Sequence, residues 1–168
     1  MAGNLPSGSD MAIKRILVPV DFSVPSMHAL DYAVEVAGPL AAELVVLFAV
    51  EPIYSITAGD LYTPSAELSA LMQEQRRQGK EQLAKIEARL KPRYDKLRTL
   101  LADGLAYQLI VSTAEKLKSD VIIMATHGRT GLSHLFMGSV AEKVVRTAGC
   151  PVLTIRVPKG RKSKRTRR

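Results

Sequence analysis

The fold is decided by residues 121–140, which read VIIMATHGRTGLSHLFMGSV. Val121–Ala125 is a short, continuously apolar run, which predicts a buried strand, and a helix is predicted to begin at Ser139. The loop between them contains Gly128 and Gly131, which tolerate positive φ and let another group approach the backbone closely. A buried strand that leads into a helix is the repeating unit of α/β proteins, so the same unit is expected elsewhere in the chain.

Outward from this stretch, four further apolar runs predict the other strands of one sheet. They are Arg15–Val20, Leu44–Val50, Arg98–Ala102 and Pro151–Val157. Helical spacing and composition predict helices from Ser26 to a stop at Gly38-Pro39, over Ser65–Leu90, over Ala106–Lys118 and over Ser139–Ala148. The alternation predicts a single doubly wound α/β domain, with a five-stranded parallel sheet of order 3-2-1-4-5 and helices on both faces. Ligands of such sheets bind outside the carboxyl ends of the strands, where the strand order reverses.

The composition predicts one folded domain between two polar ends. The 168 residues are 46% hydrophobic, which is enough for one domain with its own core. The net charge is +8, but residues 159–168 hold seven Lys or Arg and no acid, which leaves 8 − 7, or about +1, for the rest. We therefore predict a disordered leader over residues 1–11, a domain over 12–157 and a basic, disordered tail over 158–168.

Composition also limits the classes of protein to consider. No apolar run approaches the ~20 residues of a membrane helix, so no membrane partner is expected. A single cysteine, Cys150, excludes an intrachain disulfide, fits a cytoplasmic location and is more typical of a packing residue than of a nucleophile. The basic tail is more typical of a solvated extension than of a specific nucleic-acid contact.

The usual phosphate-binding signatures do not occur in the chain. There is no Gly-Lys-Ser/Thr and no Gly-x-Gly-x-x-Gly. A bacterial receiver domain would need an acidic pair, an aspartate after the middle strand and a lysine after the last strand. Only Asp21 is suitably placed, so this class is set aside.

The start of the last helix is the candidate phosphate site. Amides at a helix N-terminus attract phosphate oxygens, and the Ser139 hydroxyl after Gly138 adds a donor. Arg129 or His127 is expected to lie against the outer phosphate. The alternative is a plain connection in which Ser139 and Glu142 form a capping box. The residues alone leave these two interpretations open.

Several segments together resemble the universal stress protein family. They are Ile16–Ser23 (ILVPVDFS), the strand Leu44–Val50, the segment from Asp120 through Leu132 to Gly138-Ser139-Val140, and Cys150–Ile155 (CPVLTI). The resemblance covers residues 12–157. It implies the doubly wound fold, an adenine nucleotide (ATP, ADP or AMP) as ligand, and a homodimer in which two last strands, Val152–Val157, pair antiparallel.

The resemblance also implies a set of site residues. Nucleotide-binding members carry Gly-x2-Gly-x9-Gly-Ser/Thr, and the matching residues here are Ala125, Gly128, Gly138 and Ser139. Ala125 departs from the family pattern, and its methyl group bears on affinity more than on the existence of the site. A side chain at either glycine is expected to displace phosphate oxygens and to forbid positive φ.

The remaining implied contacts involve both ends of the nucleotide. Pro19, Val20 and Asp21 would meet the adenosine, with Asp21 near the ribose or a Mg²⁺ ion, and Ala49 would face the adenine through its backbone. The residues implied around the phosphates are Gly128, Arg129, Gly138, Ser139 and Val140. An alternative role for Asp21 is to accept hydrogen bonds from Ser23 or nearby amides at the helix start.

The first functional hypothesis is a nucleotide-binding regulatory or stress-response module. One alternative is a slow metal-dependent ATPase, with Asp21 on the metal and Arg129 on the outer phosphate. Another is an interaction protein that has lost nucleotide binding, and a fourth is nucleic-acid attachment through the tail. No catalytic residue is assigned, and a metal site at His127 and His134 is not favoured.

Overall fold

The computed structural model describes residues 12–52, 66–127 and 137–156. Strands and helices alternate along these residues. In chain order they are β1 (Arg15–Pro19), α1 (Val24–Leu40), β2 (Glu43–Val50), α2 (Ala66–Leu90), β3 (Leu97–Asp103), α3 (Ala106–Leu117), β4 (Val121–Ala125), α4 (Ser139–Thr147) and β5 (Val152–Ile155). The five strands form one parallel sheet in the order β3-β2-β1-β4-β5, which confirms the predicted fold class and strand order.

Side chains alternate between the two faces of the central strands, and each face has its own core. Ile16 and Val18 of β1 pack with α1 and α2 on one face. Leu17, between them, packs with α3 and α4 on the other face. All three are fully buried, which explains why the strands read as continuous apolar runs.

Helix α1 extends beyond its predicted stop at Gly38-Pro39. It includes both residues and ends at Leu40, and the C-cap residue Ala41 has a φ of 49° and donates its amide to the carbonyls of Ala37 and Gly38. The Cδ of a proline usually clashes with the Cβ of the preceding residue and forces that residue out of the helical region. Because Gly38 has no Cβ, this part of the clash is absent and the helix continues for its last turn.

Helix α2 runs without interruption through Gly79. Gly79 is buried against β2, and a Cβ at this position would lie 2.5 Å from Cε1 of Phe48. The glycine therefore allows a close helix–sheet approach.

Strand β5 is shorter than predicted and lies at the edge of the sheet. It ends at Ile155, and Leu153 is 40% exposed. Arg156 is already outside the strand, and Val157 lies outside the described residues, as do the predicted leader (1–11) and basic tail (158–168).

Candidate functional site

The strand order reverses at β1, and a cleft opens there. β1 pairs with β2 on one side and with β4 on the other, so the chain leaves β1 in one direction and returns to its other side. The cleft has a volume of about 750 Å³ and is lined by the carboxyl ends of β1, β2 and β4, the first residues of α3 and α4, and the middle of α2. This is the position at which doubly wound proteins bind their ligands, and the volume falls in the usual range for ligand pockets.

Eight of the ten residues predicted for the site line this cleft. They are Pro19, Val20, Asp21, Ala49, Ala125, Gly138, Ser139 and Val140. Gly128 and Arg129 lie outside the described residues. Residues from three strands and one helix, far apart in the sequence, are thus brought to one cavity by the topology.

Asp21 organises the start of α1 as well as lining the cleft. Its Oδ1 accepts hydrogen bonds from the Ser23 amide at 3.0 Å and from the Ser23 hydroxyl at 2.6 Å. The Ser23 hydroxyl oxygen in turn accepts from the Ser26 amide and caps the helix. The alternative role considered for Asp21 is therefore present, and it leaves the residue on the cleft wall.

Phe22 contributes an aromatic surface that the sequence did not indicate. It has a φ of 63°, a left-handed conformation that is costly for a bulky residue. Its ring packs on Phe48 with centroids 4.5 Å apart and an interplanar angle of 40°, and both residues line the cleft. Because the strained backbone persists only where its surroundings hold it, packing against Phe48 stabilises this turn.

Helix α4 begins at the cleft with Gly138 as its N-cap. The Gly138 amide donates to the Thr126 carbonyl at 2.8 Å, and no side chain caps the helix. Ser139 is therefore the first helical residue, and the capping box with Glu142 that was considered is not formed. The first amides of the helix have no carbonyl partner within it, and Ser139 and Val140 bring them to the cleft.

His127 places a polar ring at the same end of the cleft. Its Nδ1 lies 2.8 Å from the Thr126 hydroxyl oxygen. Its Nε2 is buried and has no hydrogen-bond partner among the residues that the structure describes. Buried polar atoms are normally paired, so this nitrogen marks a position for a ligand atom or a water molecule.

The wall of the cleft formed by α2 was also missed from the sequence. Gln75, Gln78, Glu81 and Gln82 line it. In addition, Glu51 follows β2 and accepts a hydrogen bond from the Ala106 amide at 2.9 Å, which ties the start of α3 to the cleft. The only sequence signal for the α2 wall is that polar residues interrupt the apolar stripe of this helix.

Other candidate features carry less chemistry. Within residues 12–52, 66–127 and 137–156, no three His, Cys, Asp or Glu side chains form a group that could hold a metal ion. Burial, and then the charges of Asp120 and Glu115, raises the pKa of the half-buried Cys150 thiol, so the thiolate is disfavoured. No helix of the described residues is both long and apolar enough to cross a membrane.

Fold and cleft together define a doubly wound α/β protein with a ligand-sized cavity at its switch point. The chain belongs to the universal stress protein family, whose sequence profile matches residues 12–156. A universal stress protein of Methanocaldococcus jannaschii is 34% identical over 148 residues, which cover 87% of this chain and 84% of that protein. Universal stress protein YxiE of Bacillus subtilis is 30% identical over 146 residues, covering 84% and 98%.

Solved structures show the same architecture. Universal stress protein UspA from Lactobacillus plantarum has a TM-score of 0.75 and 26% identity, covering 86% of this chain and 98% of that one. A universal stress protein in complex with cAMP has a TM-score of 0.59 and 20% identity, covering 86% and 97%. At 20% identity this second likeness concerns the fold alone.

Proposed function

We propose that this chain binds an adenine nucleotide in the switch-point cleft and acts as a regulatory module of the stress-response type. The observation that carries the proposal is the cleft itself, which joins an apolar lining at the ends of β1 and β2 to the N-terminus of α4. A nucleotide has the same two parts, a planar apolar base and an anionic phosphate group.

The two ends of the cleft match these parts. Val20 and Met124 are buried apolar residues at its strand end, beside the half-buried Pro19 and Ala49. At the other end, the amides that begin α4 and the positive end of its dipole attract phosphate oxygens. The base and ribose therefore occupy the strand end of the cleft, and the phosphates lie at Ser139 and Val140.

A magnesium ion would reach the site through the nucleotide. Mg²⁺ is commonly held by one or two carboxylates together with substrate phosphates. Asp21 supplies one carboxylate on the cleft wall, and this fits an ion that enters with ATP better than a resident metal centre. A nucleotide bound at the start of α4 would then change the surface that the protein presents to partners.

A solved structure with the same fold contains a ligand of the proposed class. One solved universal stress protein is a complex with cAMP, an adenine nucleotide. Adenosine and phosphate, the parts of cAMP, are also the parts that the cleft of this chain is suited to hold. A cytoplasmic location accords with this ligand and with the single cysteine.

The proposal includes a homodimer through β5. This strand is the edge of the sheet, and its outward backbone groups offer a template for a second copy. Leu153 is 40% exposed there, and Val145 of the neighbouring α4 is 44% exposed. A two-fold axis beside β5 would pair each strand with its own copy.

The direct experiment is mass spectrometry of the small molecule that leaves the purified protein on denaturation. We expect an adenine nucleotide, and we expect ATP, ADP, AMP or cAMP to raise the melting temperature of ligand-free protein. A protein that releases no nucleotide and shows no thermal shift with any of the four would instead be an interaction protein without this ligand.

A further inference from the structure

The apolar stripe of α2 is interrupted where the helix passes the cleft. Towards its end the helix buries Leu83, Ile86 and Leu90, and near its start it buries Leu68. Between these positions, Gln75 and Gly79 occupy the same stripe. Gln82 lies next to the stripe, one turn after Gly79. A helix that only covered a sheet would continue its apolar stripe across this region.

Gly79 brings this polar part of α2 against the floor of the cleft. A Cβ on Gly79 would lie 2.5 and 2.7 Å from ring atoms of Phe48 and 3.0 Å from Leu101. The helix backbone therefore touches the aromatic surface formed by Phe22 and Phe48. Side chains that flank Gly79 on the helix, such as Gln82 one turn later, reach the cleft beside that surface.

Most polar neighbours on α2 are engaged elsewhere. Arg76 pairs with Asp103, and Arg77 pairs with Glu74 and Glu81. Gln78 donates its side-chain amide to Glu74 at 2.7 Å. The side-chain amides of Gln75 and Gln82, by contrast, make no hydrogen bond with another residue in the described part of the chain.

Both glutamines are exposed, and Gln82 lies on the more firmly anchored part of the helix. It directly precedes Leu83, which is 4% exposed and packs in the core, whereas Gln75 lies one turn before Gly79 on the part of the helix further from that anchor. A side chain on a rigid element can recognise a ligand group with less loss of conformational entropy.

We propose that Gln82 is a specificity-determining residue that reads the edge of the bound base. The inference rests on the proposed nucleotide binding. A glutamine amide carries an acceptor and a donor side by side, and adenine presents an exocyclic amino donor next to a ring nitrogen acceptor. The Gln82 carbonyl accepts from the amino group, its amide donates to the ring nitrogen, and the base plane rests near Phe22 and Phe48.

The experiment compares two ligands that differ only at the amino group. Affinities of ATP and of purine riboside 5′-triphosphate, which lacks that group, are measured by calorimetry for the full chain and for Gln82→Leu. We expect the wild type to prefer ATP, and Gln82→Leu to weaken ATP by roughly tenfold, within the range for a bidentate amide–base pair. The affinity for the analogue should fall clearly less in Gln82→Leu, because the analogue has no amino group for Gln82 to recognise.

Gln73→Leu is the matched control, since Gln73 is exposed on the same helix and does not line the cleft. It should leave both affinities unchanged, and thermal denaturation should show that both variants are folded. An equal loss for both ligands, or no loss for either, in Gln82→Leu would overturn the role of Gln82 while leaving nucleotide binding intact. A wild type that binds neither ligand would overturn the proposed function together with it.

Discussion

Gly138 lies between β4 and α4, where its amide donates to the Thr126 carbonyl at 2.8 Å. Its φ is −60°, which any residue adopts, so the expectation that positive φ requires glycine here is wrong. The constraint is contact, because an added Cβ would lie 3.2 Å from the Thr126 carbonyl oxygen. A larger side chain therefore crowds the junction at which the phosphates are proposed to bind.

Ala125, the departure from the family pattern, is accommodated by the strand. It is the last residue of β4, is 7% exposed and lies opposite Ile155 in the ladder. The sheet thus takes the methyl group without any change in secondary structure. Any effect of the methyl group on nucleotide affinity would therefore come from contact with the ligand and not from a change in the fold.

Asp21 has a structural role and a proposed ligand role, and two variants separate them. Asp21→Ala removes the acceptor for the Ser23 amide and hydroxyl, so the free energy of unfolding should fall by about 1–2 kcal/mol. Asp21→Asn keeps an oxygen acceptor and should lose less stability. Both variants should lose the magnesium-dependent part of ATP affinity, measured by calorimetry with and without EDTA. Full magnesium dependence in Asp21→Asn would mean that the carboxylate does not meet the ion.

The sequence predicts best those secondary-structure elements whose ends are determined by residues next to them in the chain. Val121–Ala125 is β4 in both the prediction and the structure, because polar residues bound a short apolar run. β3 extends one residue beyond its prediction at each end, since its pairing with Leu44–Val50 of β2 fixes its length. The residues of β3 alone do not indicate how far the strand pairs with β2, so they do not predict its length.

Gly79 gives a prediction about how α2 meets the sheet. Gly79→Ala gains about 1 kcal/mol of helix propensity, but its Cβ would overlap the Phe48 ring, and overpacking of this kind costs about 1–3 kcal/mol. We expect a net loss of stability in chemical denaturation. Gly149→Ala is the control for an added methyl group, since the nearest atom beyond its chain neighbours, Glu115 Oε1, lies 4.0 Å from the added Cβ, and it should leave the stability nearly unchanged. A Gly79→Ala variant that is more stable than the wild type would contradict the close contact.

Glu43 links β1, β2 and β3 near the residues at which these strands begin, at the end of the sheet opposite the cleft. It accepts hydrogen bonds from Nε of Arg15 and Nε of Arg98, and Arg15 also donates to the Leu117 carbonyl. Burial alone raises the pKa of Glu43, but the hydrogen bonds and charges of both arginines outweigh it and hold the pKa below its ordinary value of 4.5.

The lowered pKa predicts a pH-dependent contribution to stability. Because the pKa is lower in the folded than in the unfolded chain, ionised Glu43 stabilises the fold above about pH 4.5, and this is lost as the pH falls through the folded pKa. Glu43→Gln should lower the free energy of unfolding by roughly 1 kcal/mol at pH 7, and by clearly less at about pH 3. Denaturation curves at both pH values measure this. A difference that stays constant with pH would show that the charge of Glu43 is not responsible.

At the scale of the whole molecule, the sequence predicts the position of the cleft at the strand ends better than the packing contacts that complete it. Asp21 follows the first predicted strand, Ala49 is the second-last residue of the second, and Ser139 begins the last predicted helix. Parallel topology brings such ends to one side of a sheet. The polar wall of α2 depends instead on how closely Gly79 lets the helix approach Phe48, and the contact of Phe22 with Phe48 depends on the turn after β1. The aromatic contact has no local sequence pattern, and the only signal for the wall is the interruption of the apolar stripe of α2.

The backbone of β5 determines which residues face a partner. The amides of Ile122 and Thr126 in and after β4 donate to the carbonyls of Pro151 and Ile155 at 3.0 and 3.1 Å. Backbone groups alternate in direction along a strand, so those of Thr154 point to the free edge. Proline at Leu153 or Ile155 would break the ladder with β4 and would not test the dimer.

Thr154→Pro tests the proposed dimer without disturbing that ladder. Proline removes an outward N–H that an antiparallel partner strand would use, and edge strands tolerate it. Light scattering should show a dimer for the wild type at micromolar concentration and a monomer for the variant, with nucleotide affinity little changed. A monomeric wild type, or a variant that remains dimeric, would contradict dimerisation through β5.

The measurement that tests the central claim most directly is calorimetric titration of the full chain with ATP and Mg²⁺. We predict saturable binding of one nucleotide per chain, which is lost or strongly weakened in Gly138→Val. Gly149→Val is the control and should bind as the wild type does, since Gly149 does not line the cleft and the nearest atom beyond its chain neighbours, Glu115 Oε1, lies 4.0 Å from the added Cβ. Circular dichroism confirms that both variants are folded. A wild type that gives no saturable binding, or a folded Gly138→Val with unchanged affinity, would contradict nucleotide binding at the N-terminus of α4.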